Sequence, residues 1–324
     1  MELIRGIHNI KPRHRGCVLT IGNFDGVHQG HHAVLARLQE KAAQLGLPAC
    51  VMLFEPQPLE LFAGSAAPAR LSRWREKYEA LKGMQIDRML CVRFTHRFAE
   101  QAASTFIEQL LVEKLGVHYL VVGDDFRFGK GREGDFHLLE EAGRRFGFEV
   151  ISTQSFQLSR QRVSSTLVRE ALKAGRMAEV ELMLGRPYAI SGRVAHGDKL
   201  GRTIGFPTAN LALKRQVVPV GGVFAVEVIC SGKTFPGVAN VGVRPTLSGT
   251  QARLEVHLFD FSGDLYGQQV KVLLRHKLRE EQKFASFTAL KEQIERDALA
   301  ARAWFGLPQF HLPSTLLEKK GTQD

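Results

Sequence analysis

A short polar stretch at residues 22–32, GNFDGVHQGHH, brings histidines and glycines together. It follows an apolar run, Cys17–Ile21, and precedes apolar residues at helical spacing. Imidazoles at such a junction fit a metal site, a phosphate site or a polar loop without a ligand. Zinc is the weakest of these, because the histidines lack an HExxH context and an obvious third ligand nearby.

The spacing of the histidines favours phosphate binding. His28 and His31 are three residues apart at the expected start of a helix, so both imidazoles can face one phosphate. A helix start also presents unpaired backbone N–H groups and a partial positive charge. Gly30 leaves room for a phosphate or an adenine to approach the backbone.

The elements that must position these residues alternate between strand and helix in the first half of the chain. The expected strands are CVLTI, ACVMLF, RMLCVRF and VHYLVVG. We expect a first helix that places Val34, Leu35, Leu38, Ala42 and Leu45 on one face. Two further helices are expected at STFIEQLLVEKLG and FHLLEEAGRRFG. This order predicts βαβ units on a parallel sheet, where ligands bind outside the carboxyl ends of the strands.

The pattern changes near residue 185. Two short helices, TLVREALKAG and MAEVELMLG, lead to the expected domain boundary at Gly185-Arg186-Pro187. Glycine-punctuated runs follow (YAISGRVAHG, GVFAVEVIC, KTFPGVANVGV, ARLEVHLFDF and QQVKVLLRHKL), and they predict a small antiparallel barrel closed by a helix near residues 287–298. We expect domains at 1–185 and 186–310 and a tail at 311–324.

Composition limits the classes of protein. No apolar run approaches the ~18 residues of a membrane span. The N-terminus lacks the apolar core of a secretory signal, so we expect a cytoplasmic protein with no membrane partner. The four cysteines, Cys17, Cys50, Cys91 and Cys230, form no CxxC pair and predict no disulfide framework. The net charge of +11 suits a partner that carries phosphates.

Three segments of the first half resemble one known family. GNFDGVHQGH resembles the HxGH phosphate motif of the nucleotidyltransferase superfamily, in the form found in bacterial bifunctional riboflavin kinase/FAD synthetases. VGDDFRFGKGREGD resembles that family's flavin-side loop, and VSSTLVRE resembles its ISSTxxR motif. The resemblance implies a Rossmann-like nucleotidyltransferase domain with a parallel sheet, followed by a small antiparallel riboflavin kinase β-barrel with a closing helix.

The resemblance also assigns residues to the first site. It implies phosphate binding by Gly22, Asn23, Asp25, Gly30, Ser164, Ser165 and Thr166, and catalytic roles for His28, His31 and Arg169. It implies contacts of Asp125, Phe126 and Phe128 with a flavin or adenine ring, although plain core packing suits the same phenylalanines. Taken alone, VSSTLVRE also fits an ordinary N-cap followed by a surface arginine. GDDFRFGKG is not a Walker A motif, because its glycine spacing differs by one residue.

The implied first reaction is adenylyl transfer, in which the FMN phosphate attacks the α-phosphate of ATP and releases pyrophosphate. A phosphate nucleophile is already anionic near pH 7, with a second pKa of about 6, so no general base is required. Catalysis then depends on positioning and on positive charge from imidazole, Arg169, helix N-termini and Mg²⁺. We expect the histidines to bind and neutralise phosphates.

A second glycine-rich segment, GDKLGRTIGFPTANL, lies early in the predicted barrel. Its regular glycines, including Gly201 and Gly205, suit a backbone that wraps around phosphates, although a barrel turn is the better interpretation of the segment alone. The hydroxyl of Thr208 and the side-chain oxygen of Asn210 suit Mg²⁺. The segment resembles the PTAN motif of riboflavin kinases.

A later strand, within ARLEVHLFDFSGDLYG, resembles the strand that carries the catalytic glutamate in riboflavin kinases. Alternation places Leu254 and Val256 on the core face and Glu255 on the opposite face, toward a cleft. Riboflavin phosphorylation uses an alcohol as nucleophile, so Glu255 is the candidate base for the 5′-hydroxyl proton. Without the resemblance, a solvated strand glutamate is the alternative.

These features predict one chain that converts riboflavin to FMN in the barrel and FMN to FAD in the α/β domain. ATP is the expected co-substrate of both steps and Mg²⁺ the expected cofactor. The expected partners are these small molecules and not nucleic acid; a homo-oligomer is allowed but not predicted. One rival is an adenylyltransferase for another phosphorylated cofactor, with the barrel as a binding module. The other is an RNA-binding protein, although the strands lack the interleaved aromatic and basic residues of a stacking platform.

Overall fold

A computed structural model of the chain describes residues 1–153, 163–196, 205–213, 217–246 and 249–308. The chain forms two compact units, and the main division between them falls between Arg186 and Pro187. Among the described residues, no helix has the length and apolar character that crossing a membrane requires.

The first unit contains a six-stranded parallel sheet in the order β1-β4-β3-β2-β5-β6, which confirms the predicted architecture. The strands are β1 (Glu2–Arg5), β2 (Cys17–Ile21), β3 (Ala49–Glu55), β4 (Arg88–Arg93), β5 (Val117–Val122) and β6 (Glu149–Ser152). The helices before Pro187 are α1 (Gln29–Leu45), α2 (Pro58–Ala63), α3 (Trp74–Gly83), α4 (His96–Ala99), α5 (Ala103–Thr105), which continues as a π-helix (Phe106–Lys114), α6 (Phe136–Phe146), α7 (Ser165–Lys173) and α8 (Met177–Leu184).

Both faces of this sheet are covered by apolar side chains. Along β2, Leu19 packs into one core and Val18 into the other, and both are fully buried. Strands covered on both faces appear in sequence as continuous apolar runs, so the central strands could be predicted. The edge strands β1 and β6 have four residues each and were not predicted, because they are short and partly exposed.

Helix α1 runs directly from the carboxyl end of β2, with His28 as its N-cap residue. It ends where Gly46 adopts a left-handed conformation, as expected for a glycine after a helix. Leu35 and Leu38 are fully buried on the predicted apolar face, but Leu45 is 44% exposed. The prediction for Leu45 was wrong, because it is the last residue of the helix and lies beyond Ala42, the last residue of this face in the core.

The second unit contains a closed antiparallel barrel in the order β10-β11-β8-β7-β12-β9, as predicted. Its strands are β7 (Tyr188–Ala195), β8 (Ala209–Ala212), β9 (Gly222–Cys230), β10 (Lys233–Thr246), β11 (Gly249–Leu258) and β12 (Gln269–Arg279), and its helix is α9 (Phe287–Trp304). Strand β8 was not predicted, because its four residues continue the segment that was interpreted as a polar turn.

Alternation along β11 sets the two faces of the barrel wall. Leu254 and Val256 are buried inside, and Glu255 is half-buried on the outer face. Helix α9 covers another part of the outer face, where Ala298 and Ala301 belong to one apolar cluster with Val238. The outer face is therefore apolar beneath α9 and polar near Glu255.

The cysteines occupy the positions of small apolar residues. All four thiols are free, and Cys17 and Cys50 lie in the first core as predicted. Cys230 is also buried, whereas Cys91 is only half-buried.

Candidate functional site

The first candidate site is the turn between β2 and α1, residues 22–31, which we call the histidine loop. Its backbone is left-handed at Phe24 (φ 44°), Gly26 (φ 84°) and Val27 (φ 43°). Such a conformation is uncommon for phenylalanine and an outlier for a β-branched valine. Both side chains are buried, Phe24 at 3% and Val27 at 0% exposure. A backbone of this kind persists only where its surroundings hold it, and it is frequent at functional sites.

Side chains from three later segments hold the carbonyl groups of the histidine loop. Lys77 of α3 donates to the Asn23 carbonyl (2.8 Å), Ser165 of α7 donates to the Asp25 carbonyl (3.0 Å), and Arg186 after α8 donates to the carbonyls of Gly26 (2.6 Å) and Val27 (3.0 Å). Four of the ten backbone carbonyls of the loop are therefore bonded by side chains from outside it.

Asp25 anchors the loop through its side chain. Its carboxylate is 2% exposed and accepts the backbone N–H groups of Leu71 and Ser72 at 3.0 to 3.1 Å. Arg169 forms an ion pair with it, with Nη2 2.6 Å from Oδ2, and also donates to the Ala69 carbonyl. The structure thus brings Asp25 and Arg169 together. Direct contact of either residue with a phosphate stays a prediction.

The imidazoles of His28 and His31 are stacked, with ring centroids 3.7 Å apart. Nδ1 of His31 accepts the backbone N–H of His28 at 3.2 Å. Nδ1 of His28 is buried and has no hydrogen-bond partner among the residues that the structure describes. Buried polar atoms are normally satisfied, so this atom is available to a ligand or a water molecule.

Both imidazoles are neutral at pH 7. Burial lowers the pKa of His28 to about 4. Burial also lowers the pKa of His31 well below its usual range, and the neighbouring His28 adds to that shift. Neutral imidazoles act as hydrogen-bonding groups, and the positive charge expected of them beside phosphates stays a prediction.

Positive charge at the loop comes instead from Lys77, Arg169 and Arg186, each of which bonds to the loop directly. Burial lowers the pKa of Lys77, which is 0% exposed, and the charge of Asp25 opposes that shift. Asp25 is the one acidic residue of the histidine loop itself. Burial lowers the pKa of Arg186, and Glu76 lies close enough to oppose that shift. Cationic groups bonded directly to the loop suit phosphates.

Helix α7 brings the VSST motif against the histidine loop. Ser164 is its N-cap, with the hydroxyl accepting the N–H of Leu167 at 3.3 Å, which is the ordinary role that the sequence left open. Ser165 bonds to the loop, and Thr166 is exposed at the same helix start. A Cβ atom on Gly30 would lie 2.6 Å from the carbonyl oxygen of Val163, so the approach of this backbone requires glycine there.

The remaining predicted residues of the first site lie as follows. Gly22 is half-buried at the end of β2, and the side chain of Asn23 is exposed. Among the described residues, no group of three or more His, Cys, Asp or Glu side chains could hold a metal ion.

The candidate flavin loop after β5 places its aromatic rings in and beside the first core. Phe128 is 8% exposed, and its ring lies 5.1 Å from that of Phe106. Phe126 is half-buried and stacks on Phe128 at 5.5 Å, and Asp125 is exposed. Core packing therefore accounts for Phe128, and the flavin contacts of all three residues stay predictions.

The second candidate site is a row of side chains across three barrel strands, which we call the polar row: Asn210 of β8, Glu255 of β11 and Asn240 of β10. Glu255 is the register partner of Asn210 on one side and of Asn240 on the other. Directly opposed residues of antiparallel strands point to the same face. All three are half-buried on the outer face of the barrel, with Thr208 just before β8.

Asn240 is the member of the polar row that the sequence analysis missed. Its Oδ1 atom is buried and has no hydrogen-bond partner among the described residues. The signal in the sequence that could have identified Asn240 was one amide side chain in the otherwise apolar stretch PGVANVGV.

Two glycines of the second segment were predicted to bind phosphates. Gly205 is exposed with φ 85° and has open space around it, and Gly201 lies outside the described residues.

Comparison with known proteins matches both units. Residues 10–167 match the family model described as FAD synthetase, and residues 184–305 match the model described as riboflavin kinase. A bifunctional riboflavin kinase/FMN adenylyltransferase from Escherichia coli (strain K12) is 60% identical over 309 residues, which are 95% of this chain and 99% of the relative. A protein of the same description from Pseudomonas fluorescens is 54% identical over 304 residues, which are 94% of this chain and 97% of the relative.

A solved structure is similar over the same length. It is described as a macrolide-efflux protein from Streptococcus pneumoniae, has a TM-score of 0.77 and 29% sequence identity, and covers 94% of this chain and 100% of its own. The two family models match in the expected order, and the curated relatives are similar over almost their whole length. The chain therefore belongs to the family of bifunctional riboflavin kinase/FMN adenylyltransferases.

Proposed function

We propose that the barrel unit phosphorylates riboflavin with ATP to give FMN, and that the first unit transfers AMP from a second ATP to FMN, giving FAD and pyrophosphate. The observation that carries the assignment of the second step is the histidine loop. Lys77 and Arg186 donate to its backbone carbonyls, Arg169 pairs with the Asp25 carboxylate, and the stacked neutral imidazoles lie at the start of α1. This arrangement suits a triphosphate.

At the histidine loop the nucleophile is a phosphate, which is anionic near pH 7 with a second pKa of about 6. His28 and His31 act as hydrogen-bond donors to phosphate oxygens and not as proton acceptors. The charge that develops on the α-phosphate is stabilised by Lys77, Arg169 and Arg186 and by the N-terminus of α1. The hydroxyls of Ser164, Ser165 and Thr166 form a second wall beside the same phosphates.

At the polar row the nucleophile is the 5′-hydroxyl of riboflavin, which must lose a proton. Glu255 is the proposed general base, because its carboxylate is half-buried on the open face of the strand. Asn210 and Asn240 flank it in register and orient the reacting groups. The γ-phosphoryl group of ATP then passes to the substrate oxygen.

Mg²⁺ is the proposed cofactor of the kinase step, and the side chains near the polar row fit it. The hydroxyl of Thr208 and the amide oxygen of Asn210 are hard oxygen donors, the kind that Mg²⁺ prefers. They carry no charge, so the phosphates of ATP must supply most of the neutralisation. When bound there, the ion neutralises charge on the transferred phosphoryl group. Nδ2 of Asn210 lies 3.4 Å from the Thr208 carbonyl oxygen, so these two proposed ligands are close together.

The proposed flavin contacts of the first unit are Asp125 and Phe126, with Phe128 supporting them from the core. The proposed domain limits are 1–185 and 186–310, followed by a tail at 311–324. The proposed compartment is the cytoplasm, where free thiols stay reduced.

The experiment that tests the proposal is a chromatographic time course of the purified protein with riboflavin, ATP and MgCl₂. We expect FMN to rise first and FAD to follow. FMN without FAD would show that the first unit acts on another substrate. A reaction without flavin conversion would contradict both assignments.

A further inference from the structure

The segment that leaves α8 packs directly on the histidine loop through three consecutive residues. A Cβ atom on Gly26 would lie 3.5 Å from Leu184 Cδ2, so this leucine covers the loop's glycine. Gly185 has φ 69°, and a Cβ atom on it would lie 2.0 Å from Nε2 of Gln29, the first residue of α1. The left-handed backbone favours glycine at this position, and the absence of a side chain lets the end of Gln29 lie against it. The segment is therefore built to lie against the turn that carries the histidines.

Arg186 completes this contact with its guanidinium group. Nη2 donates to the Gly26 carbonyl at 2.6 Å, and Nη1 donates to the carbonyls of Val27 at 3.0 Å and Leu184 at 3.1 Å. One planar, permanently charged group thus joins the loop to the end of α8. Among the loop residues with a left-handed backbone, the β-branched Val27 is the least suited to that conformation. The Arg186 hydrogen bond to the Val27 carbonyl therefore supports the most strained residue of the loop.

The charge of Arg186 also reaches the imidazoles. It contributes to lowering the pKa of His28, His31 and His32, after burial as the main cause. Asp25 opposes this effect at His28, whereas Arg169 acts in the same direction there and Lys77 does so at His31. Removing the charge would leave the imidazoles easier to protonate.

By sequence comparison, Arg186 belongs to the riboflavin kinase part of the chain. It lies within residues 184–305, which match the riboflavin kinase model, and beyond residues 10–167, which match the FAD synthetase model. By its contacts, however, Arg186 belongs to the first unit. We infer that Arg186 is a positioning residue of the adenylyltransferase site, holding the histidine loop in its binding conformation. This inference rests on the proposed assignment of FAD formation to the first unit.

The test compares Arg186→Met and Arg186→Lys in the full-length protein, assayed separately for FMN adenylylation and for riboflavin phosphorylation. We expect Arg186→Met to lower kcat for FAD formation about 10- to 100-fold, because a misplaced loop of this kind costs about that much. Phosphorylation should stay within about twofold, since the contacts of Arg186 described above all lie in the first unit. Arg186→Lys keeps the charge but not the planar fork, so it should recover part of the loss.

Titration of the imidazoles separates loss of the guanidinium charge from general damage. In Arg186→Met, the pKa of His28, followed by NMR of its ring protons, should rise above the wild-type value, whereas in Arg186→Lys it should stay near that value. The matched control is Arg193→Met, an exposed arginine on β7 in the same family match. It should leave both activities unchanged.

The outcomes are distinct. Unchanged FAD formation in Arg186→Met, or equal loss of both activities, would overturn the inference. If the wild-type protein itself forms no FAD from FMN and ATP, the proposed function of the first unit fails and takes the inference with it. If the wild type is active, Arg186→Met is impaired in FAD formation but not in riboflavin phosphorylation, Arg186→Lys recovers part of the loss, and the His28 pKa rises in Arg186→Met, the inference holds.

Discussion

The histidine loop and the polar row are built in opposite ways. The loop has an irregular backbone, and side chains from α3, α7 and the end of α8 must bond its carbonyls to keep it in place. The polar row lies on strands whose backbone groups already bond to their neighbours, so strand pairing sets its position. A site on a loop therefore needs many supporting residues, whereas a site on a barrel wall needs few.

The chemistry of the two steps matches this difference. Adenylyl transfer starts from an anionic nucleophile, so the loop offers positive charge and neutral donors and the described structure places no general base there. Phosphorylation of an alcohol benefits from a base, and Glu255 lies at the centre of the polar row. Each prediction below tests whether a residue serves only the site to which we assign it.

The largest effect is expected for Glu255→Gln. Loss of the base should lower riboflavin phosphorylation by about 10²- to 10⁴-fold and leave FMN adenylylation unchanged. The measurement is the rate of each step with its own substrate. Glu227→Gln, a half-buried glutamate on β9, is the matched control and should affect neither step strongly. Full kinase activity in Glu255→Gln would show that the proton goes elsewhere.

His28→Gln tests the histidine loop in the same way as Glu255→Gln tests the polar row. We expect FAD formation to fall by about 10²- to 10³-fold, since the stacked imidazole is replaced by a flexible amide that does not hold its donor at the developing charge. Riboflavin phosphorylation should be unaffected. The control is His118→Gln, an exposed histidine on β5. A His28→Gln enzyme that still makes FAD at the wild-type rate would remove His28 from the site.

The neutral imidazole of His28 predicts how stability depends on pH. Its pKa is about 4 in the folded chain against 6.5 as the ordinary value, so between these values the unfolded state binds more protons. The free energy of unfolding should therefore fall as pH falls through this window, by about 2 kcal/mol at pH 5 from His28 alone. Urea unfolding at pH 7 and pH 5, followed by hydrogen exchange in the first unit, measures this difference. The same loss in His28→Gln as in the wild type would contradict a depressed pKa.

Lys77→Met should have the smallest effect, and it tests the support of the loop. The buried carbonyl of Asn23 would lose its charged donor, which costs about 1 to 3 kcal/mol of unfolding free energy. Thermal unfolding of the first unit measures this loss. Lys82→Met, at an exposed position of the same helix, is the control. No destabilisation in Lys77→Met would show that the loop keeps its conformation without this bond.

The sequence predicted the elements that follow a regular period and missed those that do not. Central strands such as β2 and β5 appear as apolar runs, and the alternation in β11 placed Glu255 on the outer face. The edge strands and β8 are too short for a period to show. In α1 the spacing of apolar residues was correct, but the sequence does not show where the core ends along the helix. Leu45 was therefore placed on the buried face, although it is exposed.

The candidate site was predicted in part for a similar reason. Residues 22–31 and 163–170 are local motifs whose types suggest phosphates. Lys77 and Arg186 are 54 and 159 residues from the carbonyls of Asn23 and Val27 that they hold. Only the fold brings them together. The neutral state of the imidazoles also depends on burial, which the sequence of the loop does not contain.

The closed barrel has a consequence for how its site could change during evolution. A strand that slips by one residue turns every side chain to the other face, and in a closed ring each neighbouring strand would have to slip with it. The position of Glu255 between Asn210 and Asn240 is therefore fixed once the ring closes. Surrounding turns and side chains can drift between species and alter which substrate is accepted, while the carboxylate keeps its place.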